Sequence, residues 1–382
     1  MTMQGPRAAR REEIPAVIEL ADSVFRAERE GSMGQQFPLL YAEQNAENLR
    51  IFADDGAPVS LVGMVEVDVL LQGGRHTACE IGSVCTHPDY RGQGLATRLL
   101  HDARAKARQD GCDLFLISGG RGLYRRQGFV DVGGYFHAAI DRKRLPEAGP
   151  WRIEPWEEDD LPALIDLHVG EPTRFERPPE DFLTLLRKGC IMDRRAETRL
   201  VRPRTGEPVA YLSYIVPGEG DLGEDEIRIE EMAGSRRAVA EALPAVFEEY
   251  DLQTAHAKFL RSDTEARALA GSLGWRTQPA GFHGTVGIIC PALFWRNARP
   301  LLRERIGPQR FGRLSFTADG DGTRIAFGDE STDRLDMSEL TRLVFLPADR
   351  RDELDLPRDT ELGRLLDRLF PLPLVAYGLN YV

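Results

Sequence analysis

The chain has 382 residues, of which 42% are hydrophobic and 29% charged, and its formal net charge is −12. This length exceeds what one ordinary hydrophobic core supports, so we expect two or three domains. The acidic balance argues against nucleic acid or an anionic membrane as the main partner. No run of residues approaches the length of a membrane span, and the first residues lack the apolar centre of a signal peptide.

The cysteine and histidine content also limits the class of protein. The five cysteines form no C-x-x-C pair, and the seven histidines show no spacing typical of metal ligands. An odd number of cysteines leaves one without a disulfide partner. We therefore expect reduced, mostly buried thiols in a cytoplasmic protein, and no metal site.

The first 71 residues predict a helix followed by a β-hairpin. Apolar residues recur at helical spacing over residues 14–21. Residues 49–53 and 59–71 are rich in apolar and β-branched residues, which is typical of strands. The turn signal Asp54–Pro58 lies between these two runs and indicates a hairpin.

A strand, a glycine turn and a helix are predicted next. Ile81–Thr86 is an apolar run with β-branched residues, and His87–Tyr90 interrupts it because proline cannot extend a ladder. From Leu95 to Ala107, apolar residues fall at helical spacing. Arg91–Ala96, which reads Arg-Gly-Gln-Gly-Leu-Ala, forms the turn between the strand and the helix.

This turn has the features of an anion site. The first turn of a helix leaves backbone N–H groups unpaired and carries partial positive charge, so a phosphate group binds there readily. Gly92 and Gly94 allow the backbone to approach a ligand closely, and Arg91 supplies a charge-assisted contact. The same residues also fit a plain glycine turn that tightens a strand-to-helix junction. His87 is interpreted as a turn residue rather than a catalytic one.

The following segment completes a recognisable pattern. Leu114–Ile117 predicts a strand, and Leu123–Phe129 reads Leu-Tyr-Arg-Arg-Gln-Gly-Phe. Together with the Arg-x-x-Gly-x-Ala spacing after a Val-x-Thr-x-Pro strand end, this resembles the GNAT acetyltransferase superfamily, with its acetyl-CoA pyrophosphate loop and Tyr-x-x-x-Gly-Phe element. The resemblance implies an α/β fold, with a mixed central sheet flanked by helices.

The resemblance also implies a cofactor site and an acceptor. Acetyl-CoA is the co-substrate, and the acceptor is a primary amine of a small molecule or peptide, selected by loops around Gln36–Tyr41 and by later domains. The pantetheine arm pairs with the strand edge and the diphosphate binds the turn. The cofactor-binding residues are then Val84, Cys85, Thr86, Arg91, Gly92, Gln93, Gly94, Leu95, Ala96 and Thr97.

The resemblance implies catalytic roles for two residues of this domain. Tyr124 is the general acid for the CoA thiolate, with an amphipathic core residue as the alternative. Glu80 is the general base that deprotonates the amine directly or through water, with a solvated strand-end carboxylate as the alternative. Arg121 and Arg125 either approach the CoA phosphates or are solvated.

The pattern restarts after a charged, proline-containing linker over residues 141–150. A helix after Glu157, a hairpin over residues 198–215 and a strand over residues 226–232 repeat the earlier order. We therefore predict tandem GNAT folds over residues 1–145 and 146–290. In the second copy the glycine turn is shortened to Ala233–Arg237 and the tyrosine is absent, so we expect that copy to be catalytically silent.

Residues 291–382 predict a small α+β domain. An arginine-rich helix over residues 292–306 precedes a hairpin at Asp319–Gly322, and two further helices follow at 337–345 and 360–370. The aspartates of the hairpin are similar to those of a calcium loop, but the closing glutamate is absent. An ordinary Asp-Gly turn is therefore the favoured interpretation.

The three-part plan resembles the enhanced-intracellular-survival (Eis-like) branch of GNAT enzymes, which have an active GNAT domain, an inactive one and a sterol-carrier-like C-terminal domain. Residues 118–128 also match that branch's Ser-x-x-x-x-(Ile/Leu)-Tyr-x-Arg-x-Gly element. Two features depart from it: Arg-Gly-Gln-Gly replaces Arg-Arg-Arg-Gly, and the C-terminal segment is short. The resemblance implies a homo-oligomer and an active site that the terminal carboxylate, here that of Val382, enters. The apolar and aromatic ending fits a docked terminus.

Two functions remain open from the sequence. The first is an acetyl-CoA-dependent N-acetyltransferase that works by direct attack of the amine. The second is a non-catalytic acyl-CoA-binding regulatory or scaffold protein, which kept the nucleotide turn while its acceptor site decayed. The presence of Tyr124 beside an intact turn favours the first.

Overall fold

The computed structural model describes residues 3–28, 30–347, 349–350, 354, 356–357 and 359–382. Contacts between residues divide the chain into two compact units. Unit 1 contains Met1–Val132, His283–Leu372 and Val382, whereas unit 2 contains Gly133–Phe282 and Pro373–Tyr381. In the described part of the chain, no helix is both long and apolar enough to cross a membrane.

The first 132 residues contain five strands and four helices among the described residues. The strands are β1 (Gln4–Ala8), β2 (Leu49–Asp54), β3 (Ala57–Leu71), β4 (Gly74–Thr86) and β5 (Leu114–Ile117). The helices are α1 (Ile14–Phe25), α2 (Met33–Gln36), α3 (Leu95–Gln109) and α4 (Gly122–Arg126). The turn between β2 and β3 has positive φ angles at Asp55 and Gly56, as tight hairpins require.

Residues 133–282 form nine strands and four helices. The strands are β6 (Tyr135–Asp141), β7 (Trp151–Pro155), β8 (Thr173–Glu176), β9 (Cys190–Ile191), β10 (Arg194–Pro203), β11 (Ala210–Ile215), β12 (Glu226–Gly234), β13 (Thr254–Leu260) and β14 (Arg276–Ala280). The helices are α5 (Leu161–Val169), α6 (Pro179–Arg187), α7 (Arg236–Glu249) and α8 (Thr264–Leu273).

The described residues after 282 add four strands and four helices. The strands are β15 (Thr285–Ile288), β16 (Leu314–Asp319), β17 (Gly322–Phe327) and β18 (Glu330–Ser331). The helices are α9 (Pro291–Ile306), α10 (Pro308–Phe311), α11 (Met337–Phe345) and α12 (Glu361–Leu369). The predicted hairpin at Asp319–Gly322 is confirmed, because Asp319 pairs with Gly322 across the turn between β16 and β17.

The central sheet of unit 1 has the strand order β1-β2-β3-β4-β5-β15. β4 and β5 are parallel, and the other neighbours in this order are antiparallel. Helix α3 packs its apolar face against the sheet through Leu95, Leu99, Leu100, Ala103 and Ala107, all of which are buried. Each buried leucine contributes about 1.5–3 kcal/mol to folding. This helix therefore holds the preceding turn firmly at the end of β4.

The sheet of unit 2 repeats this plan in the order β14-β6-β13-β12-β11-β10-β7. Its parallel pair is β12 and β13, and α7 covers one face with residues such as Val239, Leu243 and Val246. Both sheets are thus mixed, with flanking helices. The predicted α/β fold with two copies of one plan is confirmed at the level of sheet topology.

The last strand of each copy lies in the other sheet, which the sequence did not indicate. Residues 135–141 follow the first copy in the chain, yet this strand pairs with β13 and β14 of unit 2. Residues 285–288 follow the second copy, yet this strand pairs with β5 of unit 1. Each compact unit is therefore built from segments that are not contiguous in the sequence. The domain boundaries at residues 145 and 290 stay a prediction.

Candidate active site

The candidate site lies in unit 1, where β4 and β5 separate. Their parallel pairing begins at Ala78 and Leu114 and ends at Ile81 and Ile117. Beyond that point β4 continues to Thr86, paired with β3 on its other side. A wedge therefore opens between the ends of two parallel strands, which is a common position for ligand sites in α/β sheets.

A β-bulge shapes β4 inside this wedge. Cys85 pairs with Leu61 and Gly82 pairs with Gly63, so two residues of β4 face one residue of β3. Ser83 in the bulge has a φ of 51°, which is uncommon for a residue other than glycine. Bulges occur often beside active sites because they turn a strand edge toward a ligand. Here the bulge contains Val84 and is followed by Cys85 and Thr86, so it includes or adjoins all three predicted pantetheine-binding residues.

The predicted diphosphate turn lies at the end of β4 and is open. Gly92 and Gly94 have φ angles of 78° and 72°, and no atom lies within 4 Å of a Cβ built on either one. Gly94 occupies the N-cap position of α3, and no side chain caps this helix. Residues 91–94 are exposed. The structure thus presents a helix N-terminus with its backbone donors accessible to an anion.

Tyr124 is brought to the wedge by α4. Its side chain is 3% exposed and belongs to the core cluster of unit 1, and its hydroxyl forms no hydrogen bond with any described residue. Burial raises the pKa of Tyr124, Arg121 opposes this shift, and Cys85 adds to it. Burial also raises the pKa of Cys85 to about 12. The phenol of Tyr124 and the thiol of Cys85 are therefore both protonated at neutral pH.

The carboxyl group of Val382 lies against β4 at the start of the wedge. A Cβ built on Gly82 would lie 2.6 Å from the carboxyl carbon of Val382 and 2.9 Å from its oxygen. Val382 is only 9% exposed. The sequence predicted a docked C-terminus, and in the structure Val382 is buried against Gly82. Because glycine has no Cβ, residue 82 leaves space for the carboxyl group.

Substitution of Gly82 by alanine is expected to release the terminus. The added methyl group would overlap the Val382 carboxyl group, so the tail must move away. The test is the rate at which a carboxypeptidase removes Val382 from the folded chain, which should rise severalfold. Gly271→Ala is the control, because a Cβ there meets no atom within 4 Å. An unchanged rate in Gly82→Ala would contradict the placement.

Glu80 lies in the middle of β4 rather than at its start. The strand begins at Gly74, and Glu80 pairs with Val65 and Leu116 on its two sides. Its side chain is 1% exposed, so the alternative of a solvated strand-end carboxylate is wrong. Residues two apart on a strand share a face, so Glu80 lies on the face that Gly82 presents to Val382, about 7 Å along the strand.

Tyr41 and Ser83 are further candidates that the sequence did not single out. Both are buried, and within the described residues neither hydroxyl has a protein partner beyond the contact between the two. Burial raises the pKa of Tyr41, and the nearby Ser83 hydroxyl acts in the opposite direction. Buried hydroxyls beside the bulge are polar groups that a ligand in the wedge could contact. The only sequence signal was the position of Tyr41 at the end of the predicted acceptor loop.

The corresponding turn of unit 2 is closed by its own side chains. Ser235 caps α7 by accepting a hydrogen bond from the N–H of Ala238. The carboxylate of Glu171 accepts from the N–H of Gly234 at 3.0 Å and from the guanidinium of Arg236 at 2.8 Å. Glu265 accepts from the N–H of Arg237. Protein carboxylates therefore occupy the donors that are open in unit 1.

The remaining charged candidates have ordinary surroundings. His87 accepts from the N–H of Asp89 in its own turn, and Arg125 is exposed and pairs with Asp131 at 2.9 Å. Asp321 in the β16–β17 turn interacts with Arg104 and Arg108. Within the described residues, no three His, Cys, Asp or Glu side chains group so as to hold a metal ion.

Comparison with known proteins shows what this part of the chain resembles. Residues 6–130 match the family model described as an acetyltransferase (GNAT) domain. No curated protein sequence matches the chain significantly.

Solved structures resemble the chain over almost its whole length. A protein from Enterococcus faecalis described as a probable N-acyltransferase has 15% identity and a TM-score of 0.71, with 98% of this chain and 99% of that chain covered. A GCN5-related N-acetyltransferase from Kribbella flavida has 13% identity and a TM-score of 0.65, with 98% of each chain covered. Eis1 from Mycobacterium abscessus has 13% identity and a TM-score of 0.62, with 98% of this chain and 99% of that chain covered.

Sequence identities of 13–15% establish the fold only, so any catalytic activity has to be argued from the residues of the site. The family match covers the segment that contains the wedge, the open glycine turn and Tyr124. Residues 6–130 are therefore similar to the acetyltransferase (GNAT) domain, and the chain has the fold of the GNAT proteins that it resembles.

Proposed function

We propose that the chain is an N-acetyltransferase that moves the acetyl group of acetyl-CoA to a primary amine of a small molecule or peptide. The observation that carries this proposal is the contrast between the two glycine turns. The turn at Gly92 and Gly94 leaves the N-terminus of α3 open, whereas Glu171 fills the equivalent place at Gly234. One copy of the plan retains an anion site, and it is the copy that contains Tyr124.

The cofactor fits the residues present in the wedge. Backbone N–H groups at the start of α3, with the exposed Arg91 guanidinium, would hold the diphosphate. The free edge of β4 at residues 84–86 would pair with the amides of the pantetheine arm, as an added strand does. A backbone N–H at this edge would polarise the thioester carbonyl.

The proposed reaction needs one proton donor and one proton acceptor. The amine nitrogen attacks the thioester carbon, the carbon–sulfur bond breaks, and an amide and a thiol are formed. Tyr124 gives its phenolic proton to the departing sulfur, which its raised pKa allows because the hydroxyl is protonated at neutral pH. The proton lost by the amine goes to a carboxylate.

Two carboxylates are candidates for the acceptor of that proton. Glu80 and the Val382 carboxyl group share one face of β4, on which Gly82 gives access to the terminus. Either group accepts the proton directly or through a bridging water. We assign Glu80 as the base and the Val382 carboxylate as the group that holds the amine.

Addition of residues after Val382 tests the role of the terminus. Two added glycines would move the carboxylate away from Gly82, so we expect kcat to fall at least about tenfold while the affinity for acetyl-CoA stays unchanged. Thiol release reports kcat, and isothermal titration reports the affinity. The same two glycines added before Met1 are the control. Unaltered turnover in the extended chain would remove Val382 from the mechanism.

The second candidate is a non-catalytic acyl-CoA-binding regulatory or scaffold protein. The membership of Tyr124 in the core cluster favours it, because a buried tyrosine also serves as packing. Isothermal titration with acetyl-CoA and thiol release across a panel of amines distinguish the two functions. Binding together with thiol release on any amine supports the enzyme. Binding without release on every amine supports the scaffold.

We also propose, from the resemblance alone, two features of organisation. Residues 291–382 form a sterol-carrier-like domain, and the chain assembles into a homo-oligomer. Light scattering of the purified chain measures the second feature directly. A monomer at micromolar concentration would contradict it.

A further inference from the structure

The C-terminal tail is held by buried contacts within unit 2. Tyr377 packs its ring on Phe282, with centroids 4.7 Å apart, and on Phe175. The hydroxyl of Tyr135 lies 2.7 Å from the carbonyl oxygens of both Leu374 and Val375. Aromatic packing of this kind fixes where the tail lies but tolerates sliding along its own direction.

A buried ion pair makes the more specific contacts. Arg177 binds Glu231 through two hydrogen bonds of 2.7 Å, and the arginine side chain is 3% exposed. Both partners also bind the tail. Arg177 Nε donates to the side-chain oxygen of Asn380 at 2.6 Å, and the N–H of Leu379 donates to Glu231 at 3.0 Å. Tail and ion pair therefore form one hydrogen-bonded cluster.

Further groups complete this cluster. Tyr211 donates its hydroxyl to Glu231 at 2.7 Å, and Lys188 donates to the carbonyl of Leu379 at 3.0 Å. Gly378 has a φ of 51°, and a Cβ on it would collide with the Glu231 carboxylate. The tail backbone thus lies directly on the ion pair, at a place where no other residue type fits.

The electrostatics keep this cluster charged. Burial alone would raise the pKa of Glu231, but the charge and hydrogen bonds of Arg177 lower it to about 2. Burial lowers the pKa of neighbouring His168 to about 4, so this imidazole is neutral at physiological pH. A buried ion pair gains little stability over apolar packing, and its best-attested use is to fix a register.

Register matters here because Val382 is only two residues beyond Asn380. An extended chain advances about 3.3–3.6 Å per residue, so a slip by one residue would move the Val382 carboxyl group by that distance. The hydrogen bonds to Leu379 and Asn380 oppose this slip, because both involve a charged partner and such bonds are strong.

We propose that Arg177 and Glu231 are positioning residues that fix the register of Leu379 and Asn380, and so hold the tail that ends in Val382. The silent copy of the fold would then act as the anchor of the tail. The catalytic consequence rests on the proposed function, whereas the anchoring does not.

The rate at which a carboxypeptidase removes Val382 from the folded 382-residue chain tests the anchor without any acetylation assay. Release of a buried terminus follows the population of the locally opened state. Asn380→Ala removes the tail side of the cluster and leaves the ion pair, and Arg177→Met removes the arginine. We expect both to raise the rate at least about tenfold, the effect of one lost charge-assisted hydrogen bond.

Arg199→Met is the matched control. Arg199 is also a buried arginine of unit 2, but its hydrogen-bond partners among the described residues are Glu197, Glu249 and Tyr250, none of which belongs to the tail. Thermal unfolding of all three variants shows that they are folded at the assay temperature. Rates raised in Asn380→Ala and Arg177→Met but not in Arg199→Met support the anchor. Unchanged rates, or an equal rise in Arg199→Met, would overturn it.

Kinetics then test the positioning role. We expect Asn380→Ala to lower kcat and to leave the KM for acetyl-CoA unchanged, because the diphosphate turn is not touched. Faster release of Val382 with normal kcat would show that the tail is anchored but that its position does not matter, which contradicts positioning. A wild-type chain that acetylates no amine would instead contradict the proposed function, and the carboxypeptidase rate would still decide the anchor.

Discussion

Replacement of Tyr124 by phenylalanine is expected to lower kcat about a hundredfold, within the usual contribution of general acid catalysis. Phenylalanine keeps the buried ring and its packing in the core cluster, so the fold and the affinity for acetyl-CoA should not change. The variant loses only the hydroxyl, which forms no hydrogen bond with a described residue. Thiol release under saturating substrate measures kcat, and isothermal titration measures the affinity.

If Tyr124 is the general acid, the pH dependence of acetylation by the wild-type protein should also reflect its pKa. The pKa of Tyr124 is raised, so its hydroxyl remains protonated until the pH exceeds the ordinary tyrosine value of about 10. Activity should therefore fall on the alkaline side only above that pH, and Tyr124→Phe should lose this alkaline limb. Tyr214→Phe is the control, since Tyr214 is a buried tyrosine of unit 2 that binds Glu197. Normal kcat in Tyr124→Phe would make this tyrosine a packing residue.

A carboxylate at Gly94 is expected to weaken acetyl-CoA binding by at least tenfold. Gly94→Asp places a negative charge at the N-terminus of α3, where the diphosphate would bind, and like charges in contact cost several kcal/mol. In unit 2 a carboxylate already lies at such a turn, because Glu171 accepts a hydrogen bond from the N–H of Gly234. Isothermal titration with acetyl-CoA and with CoA measures the loss, which should be equal for both because the acetyl group is remote from the turn.

Two controls separate charge from backbone strain at this position. Gly94→Asn has nearly the same size as Gly94→Asp and also tolerates a positive φ, so the difference between them isolates the charge. Gly111→Asp carries the same change at the other end of α3, where φ is 91° and a Cβ meets no atom within 4 Å. Equal affinities in Gly94→Asp and Gly94→Asn would show that no diphosphate binds at this turn.

The sequence by itself determined the local parts of the site. The glycines at 92 and 94 need positive φ angles, and the change of apolar period at Leu95 marks the start of α3, so the turn and helix were readable from neighbouring residues. The same holds for the strand at 114–117 and for the short helix that carries Tyr124. These features depend on backbone geometry and on contacts within about fifteen residues. The sequence also indicated the second copy and its altered turn.

Only the tertiary structure decided which strands pair and where the terminus lies. Two copies of one plan have strands with the same alternating pattern, so the pattern of β6 or β15 does not indicate which sheet it joins. The bond from Arg177 to Asn380 spans 203 residues, and the contact of Val382 with Gly82 spans a still longer stretch of chain. Such contacts depend on shape and charge that the fold brings together, and no local preference encodes them. The buried position of Glu80 was decided in the same way, because β4 begins seven residues earlier than its apolar run predicted.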